Sequence, residues 1–273
     1  MIGLARSLVL SAAIAANAGA QKVLLELRPK AGDTLRMQLQ QVTEMSGASV
    51  GAPGSTVTTT LKMFSRAIVE SVAPIASLIL AVTDSVDITS TDMHARALGE
   101  EAERELAGRQ MRLRLWPDGT VTLNDGAGSV PREVSDLVSV MPASFPSKPV
   151  AVGESWAREM PVPTGEALGI PEGSVVRARF RLDSVTGAGE LAYVTMTGTL
   201  VPATKAAAET VGGSVNGSMV VDRKRGWLSE SRFLLVLRSK VARADQADDA
   251  LRFSVTVTQS MRVLRPAVPR RQR

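Results

Sequence analysis

Apolar and polar residues alternate with a period of two along several stretches of this sequence, and no other feature constrains its fold as strongly. The clearest run covers residues 252–263, where Phe253, Val255 and Val257 alternate with arginine, serine and threonine. Because successive side chains of a strand point to opposite faces, this pattern predicts sheets with one apolar and one polar face. Similar alternation occupies residues 35–40, 111–115 and 175–182.

Two short polar segments predict tight turns between neighbouring strands. Residues 117–119 (Pro-Asp-Gly) separate two strand-like runs, and residues 222–226 (Asp-Arg-Lys-Arg-Gly) separate residues 214–221 from residues 227–240. Both segments have the composition of hairpin turns. The strands that they join are therefore predicted to be antiparallel.

Helix signals are fewer than strand signals. Residues 92–109 consist mainly of helix formers and place Leu98, Ala102 and Leu106 at a spacing of four, and residues 131–141 form a second candidate helix. The predicted fold class is therefore mainly β, within the β-rich α+β proteins. We expect a large curved antiparallel sheet or half-barrel with one or two covering helices.

The order of these signals suggests an internal duplication within one β-rich domain, residues 21–265. The sequence Gly-Asp-Thr at residues 32–34 and the sequence Gly-Glu-Ser-Trp at residues 153–156 each open a strand-like run. Two more strands and a hairpin follow each motif, which gives pseudo-repeats at residues 22–126 and 150–265. Chance resemblance between β segments is the alternative explanation. The basic residues 266–273 are predicted to form a flexible tail.

The first twenty residues have the organisation of a cleavable secretory signal. A short segment carrying Arg6 is followed by the apolar residues 7–16 and by Ala18-Gly19-Ala20, an A-x-A cleavage site. The apolar stretch is shorter than the roughly 20 residues that a membrane-spanning helix needs. The mature protein is therefore expected to start after Ala20 and to be soluble in the periplasm or outside the cell.

The residue types that most catalytic and metal sites require are scarce. The chain has no cysteine, so disulfides are excluded. It has one histidine, His94, so a zinc site lacks ligands and a Ser-His-Asp triad would have to use this one residue. No Gly-x-Ser-x-Gly motif presents a nucleophile, and no calcium loop is matched. We therefore expect a protein that is not an enzyme, holds no cofactor and folds without metal or oxidation.

Charge and aromatic content weigh against nucleic-acid binding. The net charge is +5, but aromatic residues make up only 3% of the chain. Proteins that bind single-stranded nucleic acid stack bases on aromatic side chains. The positive charge is therefore best explained as a solvated basic face, with attraction to anionic lipid head groups as the alternative.

The sequence Val-Gly-Glu-Ser-Trp-Ala-Arg-Glu at residues 152–159 and the sequence Ala-Gly-Asp-Thr-Leu at residues 31–35 resemble an uncharacterised family of exported bacterial β-rich proteins. Members of that family carry a signal peptide and a Gly-Asp/Glu-Ser/Thr-Trp motif. The resemblance implies an exported β-rich fold and supplies no catalytic residues. In architecture, long antiparallel strands with one or two helices look like the half-barrel carriers of periplasmic lipoproteins, in which a curved sheet offers an apolar concave surface.

Two functions from different classes follow from these observations. The first is a non-catalytic exported binding protein that holds an apolar ligand, a lipid or a lipoprotein, on a concave sheet face. The second is a structural or protein-interaction domain of the cell envelope whose apolar faces form an ordinary closed core. The predicted ligand-binding residues are Met37, Phe180, Leu182, Met196, Phe253, Val257 and Met261.

Overall fold

One antiparallel sheet contains every strand ladder in the described part of the chain. The computed structural model describes residues 22–47, 56–124, 144–162, 170–243 and 246–264. The strands are β1 Thr34–Gly47, β2 Thr56–Val72, β3 Ser77–Ser90, β4 Gln110–Leu115, β5 Val121–Leu123, β6 Ser155–Pro161, β7 Val175–Thr186, β8 Leu191–Val201, β9 Val211–Asp222, β10 Trp227–Arg243 and β11 Gln246–Leu264. The helices are α1 Met93–Leu106 and α2 Lys205–Thr210.

The first and last strands lie side by side in the middle of this sheet. Its order is β5-β4-β3-β2-β1-β11-β10-β9-β8-β7-β6, so β5 and β6 form the two edges. Both predicted hairpins are present, as β4–β5 and β9–β10. The mainly β fold class is therefore confirmed, and the alternating segments lie in strands as their pattern predicts.

The connection between the two edge strands shows that the sheet is curved. In a flat sheet, ten spacings between strands would separate β5 from β6 by about 48 Å. Yet the N–H groups of Ser144 and Phe145 both donate to the carbonyl oxygen of Asp118, in the β4–β5 turn. The Trp156 Nε1–H group of β6 donates to the carbonyl oxygen of Ser144 at 2.8 Å. One short segment thus contacts both edges, so the sheet must bend back on itself at this end.

An extended N-terminal segment, residues 22–30, crosses the same end of the sheet. Its odd-numbered residues are buried in the core, and most of the others face outward. The segment forms a bridge between Val23 and Val150, and the Leu27 N–H group donates to the carbonyl oxygen of Pro117 at 2.8 Å. It therefore ties the β4–β5 turn to the chain that leads into β6.

Helix α1 covers the part of β3 that extends beyond β4. It begins at the N-cap Asp92, whose side chain accepts the Ala95 N–H group, and Glu103 accepts the backbone N–H group of Ile88 in β3. The helix predicted over residues 92–109 is present, but Leu98 is 56% exposed and does not pack on the sheet. The helix instead approaches β3 through the buried Gly99, where a Cβ atom would lie 2.9 Å from a methyl carbon of Ile88. Close backbone approach, and not a leucine, makes this contact.

The two glycine motifs adopt the same turn geometry at the starts of β1 and β6. The Gly32 N–H group, before β1, donates to the carbonyl oxygen of Val69 in β2. The Gly153 N–H group, before β6, donates to the carbonyl oxygen of Leu182 in β7. The two glycines have φ angles of 84° and 88°. The strands differ in place, because β1 is central and β6 is an edge. The internal duplication therefore stays a prediction.

The predicted signal peptide, the predicted helix at residues 131–141 and the predicted tail lie outside the described residues.

Candidate functional site

The two faces of the sheet differ in character, and the buried one is called the inner face here. It is defined by residues in register across the strands. One row runs through Trp156, Phe180, Met196, Gly217, Phe233, Gln259, Gln41 and Leu61. This face carries the apolar residues of the alternating pattern, so it is the only described sheet surface that could hold an apolar ligand.

The inner face of β7 to β9 is packed closed. Phe180, Leu182 and Met196 are 0%, 0% and 3% exposed, and they belong to one cluster with Leu25 and Phe145. The ring of Phe180 stacks on Trp156 with centroids 5.7 Å apart. These three predicted ligand-binding residues therefore lie under protein atoms in the core.

The middle of the inner face of the four central strands is only partly buried, whereas Leu35, Leu237 and Val255 on the same face belong to the core. We call this region the central apolar surface. It includes three of the predicted residues, and the remaining one, Phe253, lies on the same face nearer the ends of β1 and β11. Cross-strand pairs such as Leu39–Met261 and Leu235–Val257 make the surface continuous from β1 to β11 and β10. Its members are Met37, Leu39, Met63, Phe233, Leu235, Val257 and Met261, all with intermediate exposure.

Sequence reasoning missed Phe233 and Leu235 as members of this surface. Residues 233–237 read Phe-Leu-Leu-Val-Leu, an unbroken apolar run in which alternation cannot identify the inner face. The register settles the assignment, because Leu235 pairs with both Val257 and Val215. The flanking arginines, Arg232 and Arg238, are exposed on the opposite face, and their positions were the available signal.

The polar groups of the central strands' inner face are amides and hydroxyls. Gln41 and Gln259 lie opposite each other, and Thr43 lies opposite Val257. Such groups accept and donate hydrogen bonds but do not form an acid–base pair. His94 lies exposed on α1, and the described residues contain no group of three or more potential metal ligands.

Among the side chains that the structure describes, Arg158 of β6 is the one ionisable group in register with the inner-face rows. It lies opposite Ala178, and this row continues through Gly198 and Val215 to Leu235. Its guanidinium donates to the backbone carbonyl oxygens of Phe145 and Ala157. Its Nε atom is buried and has no hydrogen-bond partner. No carboxylate forms an ion pair with it among the described residues.

Two grooves lie at the margins of the central strands. The larger, of about 590 Å³, lies beside α2 and is lined by Phe253 together with the exposed Arg238, Lys240 and Arg252. The smaller, of about 390 Å³, is lined by Met37 and the Arg66–Asp84 ion pair among others. Both grooves combine charged and apolar residues, unlike the central apolar surface between them.

No described helix has the length and apolarity needed to cross a membrane. No protein-family model matches the chain, and no curated protein matches it in sequence.

The fold is similar to that of lipovitellin, in a solved structure concerned with lipid–protein interactions. The TM-score is 0.55 and the sequence identity is 7%, over 90% of this chain and 26% of the lipovitellin chain. The chain thus spans about a quarter of the length of that protein, and the likeness concerns the fold alone. A second structure, DynF from the dynemicin biosynthesis pathway of Micromonospora chersina, covers 96% of this chain with 10% identity. Its TM-score of 0.22 carries no argument about this fold.

Proposed function

We propose that this protein is a non-catalytic binding protein that holds an apolar ligand, such as a lipid, on the central apolar surface. One observation carries the proposal. Seven apolar residues in the middle of four adjacent central strands are only partly buried inside a curved sheet, whereas the same face of β7 to β9 is closed. Large apolar patches are uncommon on proteins that act alone, and they often mark interaction sites. Methionines at three of the positions suit an adaptable apolar contact.

The likeness to lipovitellin supports this proposal at the level of architecture. The solved structure of that protein concerns lipid–protein interactions, and its fold is similar over 90% of this chain. Fold likeness alone does not assign a ligand. The chemical class of the ligand therefore rests on the apolar lining and on the charge of Arg158.

The proposed site of action is the periplasm or the exterior of a bacterial cell. The signal-like residues 1–20 support this location, and the absence of cysteine is compatible with a fold held by packing alone. A carrier in that compartment would shield the apolar part of its ligand from water.

Two substitutions on adjacent residues of β11 test the ligand surface. Val257 lies on the inner face and Thr258 on the outer face, so Val257→Glu places a carboxylate on the central apolar surface and Thr258→Glu places the same charge outside it. We expect saturable binding of Nile red, a neutral apolar dye, to wild type and Thr258→Glu, and weak binding to Val257→Glu. Circular dichroism confirms that each variant is folded. Mass spectrometry of lipid extracts from natively purified protein should detect a bound lipid.

The alternative function is a structural or protein-interaction domain of the cell envelope without a small ligand. The closed core around Phe180, Leu182 and Met196 favours it, because these residues show that the sheet can fill part of its own concavity. Absence of Nile red binding to wild type, together with lipid-free extracts, would replace the first proposal with this one.

A further inference from the structure

Among the inner-face side chains that the structure describes, all are apolar or neutral and polar apart from one cation, Arg158. Buried charges in proteins are normally paired, because an unpaired charge in a low-dielectric site is costly. The guanidinium of Arg158 has two backbone carbonyl oxygens as neutral partners, and its Nε–H group has none. Thus a fixed positive charge and an unused charged donor lie on the face that is proposed to bind the ligand.

Two exposed arginines on the outer face of this edge have carboxylate partners. Arg177 pairs with Glu159 at 3.1 Å and Arg181 pairs with Asp183 at 3.8 Å. These exposed ion pairs contribute little to stability. Arg179 on the same outer face is exposed and has no ion pair among the described residues, so its charge is left to water. Arg158 differs from these outer arginines because its Nε–H group is buried and has no hydrogen-bond partner.

The position of Arg158 also suits one end of a long apolar ligand. Its row reaches Leu235 on β10 and Val257 on β11, which are four and five strands away. At about 4.8 Å per strand, these separations along the sheet are about 19 and 24 Å. Ala178 and Gly198, which follow Arg158 in the row, are among the smallest residues on the inner face. Ala178 is 1% exposed, so a ligand reaches Arg158 only if the cover over this row opens.

We infer that the ligand is an anionic amphiphile whose carboxylate or phosphate group pairs with Arg158 while its chain lies on the central apolar surface. This inference rests on the proposed binding function and specifies the chemical class of the ligand. An oxygen anion supplies the acceptor that the Nε–H group lacks and the countercharge that the described residues do not provide. Hydrogen bonds between a guanidinium and an oxygen anion are roughly twice as strong as hydrogen bonds between neutral groups.

Two ligands with the same chain and different head groups test the inference. Hexadecanoate and hexadecan-1-ol are titrated separately against Nile red bound to the full mature protein. Wild type should bind hexadecanoate at least about tenfold more tightly than the alcohol, since a hydrogen bond to a charged group is worth roughly one to two decades of affinity. Arg158→Gln should remove this preference and leave the affinity for the alcohol unchanged. Arg179→Gln, an exposed arginine on the outer face of β7, should keep it.

The possible results separate this inference from the function on which it rests. Equal affinity of wild type for the two ligands would overturn the inference while the carrier function stands. A preference that persists in Arg158→Gln would assign the head group to another residue and would also overturn it. Failure of all three probes to bind wild type would remove both proposals. The wild-type comparison needs no variant, so it remains decisive even if Arg158→Gln does not fold.

Discussion

Replacing one of two phenylalanines on the same register row distinguishes the closed core from the ligand surface. Phe180 is 0% exposed and stacks on Trp156, whereas Phe233 is half-buried over Gly217 in β9. Truncation of a core phenylalanine to alanine costs about 3–5 kcal/mol, because the site cannot fully collapse around the cavity. Burying a whole phenylalanine is worth about 1.5–3 kcal/mol, so a half-buried one should contribute about 1 kcal/mol.

Phe180→Ala should therefore lower the free energy of unfolding by at least about 2 kcal/mol more than Phe233→Ala does. Urea unfolding followed by circular dichroism measures both values without depending on the tryptophan near Phe180. Nile red titration of the folded variants should show the reverse order, with about tenfold weaker binding for Phe233→Ala and unchanged binding for Phe180→Ala. Equal destabilisation by the two changes, or loss of binding in Phe180→Ala alone, would refute the division of the inner face.

Two further predictions concern the closed end of the sheet. Gly226 has a φ angle of 63°, and a Cβ atom there would lie 2.1 Å from the backbone oxygen of Arg28. Gly226→Ala should therefore cost at least about 2 kcal/mol in urea unfolding, whereas Gly212→Ala, which meets open space, should change stability by less than about 0.5 kcal/mol. Deletion of residues 1–20 should leave the melting temperature unchanged, but deletion of residues 1–30 should lower it strongly, since the buried side chains of the N-terminal segment are lost. Similar melting temperatures for the two truncations would contradict the role given to that segment.

Local patterns in the sequence predict the strands but not their order in the sheet. Period-two alternation depends only on neighbouring residues, so it identifies β7 and β11 correctly. The pairing of β1 with β11 joins residues such as Gln38 and Arg262, which hydrogen-bond across 224 positions of sequence. No turn composition or periodicity reports a contact of that range. The central place of β1 and the edge position of β6 were therefore not predictable from their similar opening motifs.

The candidate site was predictable only in part, because alternation identifies the apolar face of a strand but not how deeply that face is buried. Alternation places Met37, Val257 and Met261 on an apolar face, and the structure places them on the central apolar surface. The difference in burial between Val257 and Phe180 depends on which strands the connecting segments cover, and this is set by the curvature of the whole sheet. The alternating residues 22–30 carry a strand-like signal as well, yet they cross the end of the sheet instead of joining its ladder.

The residue proposed to bind the head group of the ligand lies at the edge where the sheet bends back on itself. Elsewhere the strands are joined by continuous ladders, whereas β5 and β6 are linked through the segment that contains Ser144 and Phe145. Arg158 takes part in this link through its hydrogen bond to the Phe145 carbonyl oxygen. An anion paired with the Nε–H group would lie beside this bond, which the guanidinium makes through a different nitrogen. The side chain proposed to bind the head group is therefore also one of the groups that link the two edges of the sheet.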